Sequence, residues 1–150
     1  GFSIDGYNDL NKNLKINYSL TYTEGDNNES YGPLPSISPL FGSLSLSYIY
    51  KDLKIQSVFK FSDSKDPNEY SLAGEDGLEE SPFIINQDGI KSFLGAPKWS
   101  DLSIYASKKV SSNSTLRLGI SNIFDIHYRT FASGISAPGR SIQAGLNLKL

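Results

Sequence analysis

The chain has 150 residues, 14 basic against 16 acidic, with a formal charge of -2 and a single histidine. It holds no cysteine, so a disulfide framework and a thiolate metal centre are excluded. The near-neutral charge offers no clustered basic face for nucleic acid. No run of 18 apolar residues offers a transmembrane helix. The sequence also lacks methionine, and its opening, GFSIDGYNDL, is already patterned like a strand; we therefore expect a piece of a longer protein.

Taken in chain order, period-two alternation dominates and helical periodicity is nearly absent. A weak first strand is predicted over residues 2–10. In LKINYSLTYT, Leu14, Ile16, Tyr18, Leu20 and Tyr22 share one face, and Lys15, Asn17, Ser19, Thr21 and Thr23 the other. Leu44, Leu46, Tyr48 and Tyr50 then oppose Ser43, Ser45 and Ser47. Leu53, Ile55, Phe59 and Phe61 oppose Lys54, Gln56 and Lys60. Leu102 and Ile104 mark a fifth strand, Leu116, Leu118 and Ile120 a sixth, and Ile142 through Leu150 a seventh.

The connections alternate in length. Tight polar turns are expected at NKN (11–13), KD (51–52) and SSNS (111–114), and long loops at about 24–39, 63–98 and 122–140. In an up-and-down meander, alternate connections lie at opposite ends of the sheet. One end then carries short turns and the other long loops, as in outer-membrane barrels. Strands of about 9 to 11 residues are long enough to cross a bilayer at a tilt. Tyr22, Tyr50, Phe59 and Phe61 sit where an aromatic girdle would lie. Pattern alone leaves a soluble β-sandwich open as the alternative. Seven strands cannot close an antiparallel barrel, because the first and last run the same way, so more strands are required from elsewhere.

Candidate sites read modestly. His127 with a serine would be the minimum for a hydrolytic pair, but no Ser/His/Asp order presents itself, and we expect no enzyme. The acidic run EDGLEE (75–80) lacks the spacing of a calcium loop and reads as a solvated loop. No ligand set for a metal or cofactor emerges. Tyr31, Tyr70, Phe83, Trp99, Arg129 and Phe131 lie in or beside the long loops, where they could face a small molecule. Lys15, Lys54, Lys60 and Arg117 lie on the polar face, where they could attract an anionic ligand or, the reading we prefer, pair with acidic groups inside a barrel.

Three stretches carry a resemblance. LRLGISNIFDIHY, RTFASGISAPGR and SIQAGLNLKL resemble the closing segment of TonB-dependent outer-membrane receptors, which commonly runs strand, N-[LI]-F-D-x-x-Y, loop, P-G-R and final strand. PLPSISPLFGSLSLSY resembles the family's P-L-P-x-x-P loop entering a strand, with one residue more before its last proline. GAPKWSDLSIYASKKV is similar to its late strand. Together they cover about residues 33–50 and 95–150. The resemblance implies an all-β, antiparallel, up-and-down transmembrane barrel, with residues 1–150 as its C-terminal part and about 22 strands in the whole. It assigns Asn122, Phe124, Asp125, Tyr128, Pro138, Gly139 and Arg140 to a structural motif closing the last extracellular loop. Asn122 and Asp125 can bond nearby backbone where the ladder ends, and Pro138 and Gly139 can set the turn. The chain ends in Leu150, where the family usually carries an aromatic.

As a whole, the resemblance implies active import of a scarce ligand such as a ferric siderophore, haem or cobalamin across the outer membrane of a Gram-negative bacterium. The implied partners are the remaining strands and plug of the same receptor, present as separate segments or chains, and outer-membrane lipid. A small-molecule ligand and a TonB-type energy-transducing protein, reached through an N-terminal region absent from this chain, complete the set. A passive porin-like or adhesive barrel is the alternative function for the same architecture.

Overall fold

A computed structural model describes residues 1–27, 32–71 and 74–149; the predicted loop residue Tyr31 and the terminal Leu150 lie outside them. Its main sheet is formed by β1 (Phe2–Asp9), β2 (Leu14–Tyr22), β5 (Phe41–Tyr50), β6 (Leu53–Ser62), β9 (Trp99–Lys109), β10 (Ser114–Ser121) and β11 (Ser141–Leu148). These seven strands pair antiparallel in chain order, a simple meander, and the sheet is not closed. Two short hairpins lie within the long loops: β3 (Asp26–Asn27) with β4 (Gly32–Pro33), and β7 (Phe83–Ile85) with β8 (Lys91–Phe93). Neither was expected from alternation, because two- and three-residue strands are too short to show a period.

The register keeps each face chemically uniform. Tyr18 opposes Leu44, Leu44 opposes Phe59, and Phe59 opposes Leu102. On the other face Ser19 opposes Ser43, Ser43 opposes Lys60, and Lys60 opposes Asp101. A slip of one residue would interchange the two faces, so this pattern specifies the register strongly.

Burial is inverted relative to a soluble domain. The buried hydrophobic side chain among the described residues is Tyr70, which lies in a loop, while Ser47, Ser62 and Ser103 on the polar face are buried. Leu118, Leu146, Leu148 and Ile142 on the apolar face are exposed, the last at 81 %. Among the described residues no second sheet packs against that face, so the sandwich alternative does not describe this chain. The apolar face is suited to hydrocarbon.

Phe2 and Tyr22 meet at one rim, 5.8 Å between ring centroids, and Phe59 and Phe61 stack at 6.0 Å. The opposite rim carries the short turns. Asn11 Oδ1 accepts from the N–H groups of Asn13 and Leu14, and Lys51 takes φ 51°, the positive value a two-residue hairpin needs. Backbone N–H groups of Ile49 and Lys109 donate to Asn13 and Asp52 of neighbouring turns, so this rim continues the ladder.

Candidate functional site

All the long connections emerge at one end of the sheet, and they pack on one another there. The loop over 122–140 starts with Asn122, which is 2 % exposed and has φ 48°. Asn tolerates the left-handed region better than most residues. Its Nδ2 donates to the carbonyls of Ile126 (2.9 Å) and Pro138 (3.1 Å), and its Oδ1 accepts from the Ile126 N–H (3.0 Å). Its backbone N–H donates to Ser103 Oγ. Asp125, at φ 55°, accepts the Arg140 N–H on Oδ1 at 2.7 Å. A Cβ on Gly139 would stand 2.9 Å from that same oxygen, which explains the small residue before Arg140. Arg140 itself lies one residue ahead of β11. Phe124, between the two turn formers, is exposed.

The loop then runs back over the sheet. Tyr128 stacks on Trp99, 4.1 Å between ring centroids, and its hydroxyl donates to Asp101 Oδ2 at 3.2 Å. Burial, the Asp101 charge and that hydrogen bond together push the Tyr128 hydroxyl up to about 12. Arg129 Nη1 donates to the Glu80 carbonyl and its Nε to Ser136 Oγ, both at 3.3 Å, which joins this loop to the one over 63–98.

Between the two loops lies a cleft of about 630 Å³. Tyr70, Phe83, Arg129 and Phe131 line it, together with His127 and the carboxylates Glu75, Glu79 and Glu80. Four of the six loop residues singled out from the sequence thus face one space. Trp99 does not; it is the first residue of β9 and supports Tyr128 from behind. Sequence alone gives His127 and the three glutamates no shared location.

The solvated reading of EDGLEE needs correction at Asp76. Glu75, Glu79 and Glu80 are exposed, but Asp76 is 3 % exposed and meets the equally buried Lys65 at 3.2 Å. Burial alone would raise the Asp76 carboxyl. The N–H groups of Ser36 and Ser71 and the Lys65 ammonium outweigh it, and the group is held below the usual carboxylate value. Among the described residues no group of three or more His, Cys, Asp or Glu could hold a metal ion. No local signal marks Lys65, since DSKDP reads as a solvated turn.

On the polar face, a second hollow of about 560 Å³ is lined by Lys54, Gln56, Tyr105, Arg117 and Gln143. Lys15 pairs with Asp9 at 3.3 Å in the neighbouring strand, and Lys60 lies across from Asp101 in register.

No family model matches the sequence, and no curated protein does. Solved structures do match. The copper transporter OprC superposes with a TM-score of 0.73 at 20 % identity, over 97 % of this chain and 22 % of that one. The siderophore receptor PirA from Acinetobacter baumannii gives 0.67 at 21 %, over 97 % and 21 %. The ferric-catecholate import receptor Fiu from E. coli K12 gives 0.65 at 14 %, over 97 % and 20 %. These are TonB-dependent receptors of Gram-negative outer membranes. The chain has the fold of one sector of their β-barrel. It spans about a fifth of their length, and the neighbours are transport receptors rather than enzymes.

Proposed function

We propose that residues 1–150 form the C-terminal sector of a TonB-dependent active transporter in the outer membrane of a Gram-negative bacterium. The observation that carries the reading is the sheet. An apolar face lies open while Ser47, Ser62 and Ser103 on the polar face are buried, short turns line one rim, long interlocked loops line the other, and this arrangement superposes on receptor barrels over nearly the whole chain. The remaining strands and an N-terminal plug complete the barrel, and a TonB-type protein supplies the energy from the inner membrane. The loop cleft then faces the medium, and Tyr70, Phe83, Arg129 and Phe131 contribute to one wall of the ligand's entry site. The ligand is a scarce small molecule of the class these receptors carry, such as a ferric siderophore, haem or cobalamin; copper, the cargo in one neighbour's name, belongs in the same screen.

The test is uptake of labelled ligands from that panel by cells carrying or lacking the full-length gene, each with and without the TonB-type partner. Accumulation that needs both supports the reading. Uptake that persists without the energy partner would establish the passive-barrel alternative instead.

A further inference from the structure

Lys65 lies in the loop over 63–98, yet its side chain reaches all three long loops. Its ammonium donates to the Ile37 carbonyl at 2.6 Å in the first and to Asp76 Oδ2 at 3.2 Å in its own. It lies 4.2 Å from the centroid of the Phe131 ring in the third, and 4.9 Å from that of Tyr70. Tyr70 and Phe131 meet edge to face at 6.0 Å. Asp76 carries the connection further, because its other oxygen accepts the Ser36 N–H at 2.5 Å. The Lys65 backbone is fixed as well, exchanging two hydrogen bonds with Ala96 across the base of its loop.

A buried charge is costly unless paired and hydrogen-bonded, and here the partners are drawn from separate loops. Withdrawing any one loop leaves the ammonium short of a carbonyl, a carboxylate or a ring, in surroundings where each counts for more than in water. The local opening of one loop therefore raises the free energy of the other two. We propose that Lys65 is a positioning residue that makes the three long loops open and close as one body. Two of its contacts, Tyr70 and Phe131, also line the cleft, so the wall of the cleft is coupled to Ile37, on a loop outside it. This coupling goes beyond the proposed function and holds whether or not the cleft takes a ligand.

Hydrogen–deuterium exchange on the full-length protein in lipid nanodiscs tests it. In K65M, amides in 32–40, 63–71, 74–81 and 126–137 should all exchange at least about tenfold faster, while β5 and β6 keep their protection. A second variant, F131L, keeps Lys65 with both its hydrogen-bond acceptors and removes only the ring. It should still speed exchange at Ser36, on a loop Phe131 does not bond, by about threefold. Acceleration confined to the mutated residue's own loop overturns the proposal, as does acceleration spreading into β5 and β6. If K65M fails to assemble, the response of Ser36 in F131L decides the matter alone.

Discussion

A single side chain can set the path of a long loop when its conformation and its bonds agree. Asn122 occupies a left-handed backbone position, and its amide group holds Ile126 from both sides and Pro138 from one. Replacing it with Ala leaves a β-carbon in that strained region and strands buried groups, each costing about 1–3 kcal/mol. N122A should open the loop over 122–140 to protease, and N122G, which relieves only the backbone, should recover part of the protection. Equal resistance of all three proteins would show that the amide bonds are dispensable. Asp76 gives a pH dependence. Its carboxyl is held below the ordinary value of 3.8, so its contribution is present above that value and is lost as pH falls through the lower folded one. The loops should loosen reversibly below about pH 4. In D76N they should be loose at every pH, read by protease sensitivity between pH 3 and pH 6. Tyr128 shows the opposite sign. Raised to about 12, its stabilising effect is complete below the ordinary tyrosine value and fades as pH rises toward 12. In an ultraviolet titration it should ionise only well above the ordinary tyrosine value, and earlier in D101N.

Within the strands, the faces decide what each position tolerates. If the apolar face meets lipid, L46R should cost about 2–4 kcal/mol near the bilayer midplane. S45R, pointing to the polar side where Gln56 bonds Ser45, should cost far less. Reversible folding of the full-length protein into lipid measures both, and equal penalties would refute the assignment of faces. Three strand glycines share a further device. Gly6 opposes Tyr18, Gly42 opposes Phe61, and Gly119 opposes Tyr105 in direct register. In each case the ring occupies the space a β-carbon would take. A ring lying over a glycine covers backbone that would otherwise be bare, and pins the pairing. At Gly42 the added carbon would also stand 2.5 Å from the Ser19 carbonyl, so G42A should destabilise the sheet more than G145A, where the space is open.

At the scale of the whole molecule, the odd strand number governs. β1 and β11 run the same way, and their outer edges carry backbone groups that hydrocarbon cannot satisfy. We expect residues 1–150, refolded alone in detergent, to give no compact heat-modifiable barrel, because exposed edges template aggregation. In the full-length protein, both edges should be protected from hydrogen exchange as well as β5 and β6 are. A stable closed barrel formed by the isolated chain would contradict the sector reading.

The sequence by itself determined the seven strands, their two faces, the alternation of short turns with long loops, and the insufficiency of seven strands for closure. All of these follow from period-two patterning and local turn chemistry, which act between residues close in the chain. The bonding capacity of Asn122 and Asp125 was legible for the same reason. What tertiary structure alone decided was the meeting of the loops. Tyr70, Phe83, Arg129 and Phe131 were visible as loop aromatics and a loop cation, but only packing placed them around one cleft and sent Trp99 beneath Tyr128. Lys65 and Asp76 gave no sign, since an exposed and a buried lysine look alike in sequence. Their burial depends on Ile37 and Phe131, distant in the chain and brought near only when the strands set all three loops at one rim.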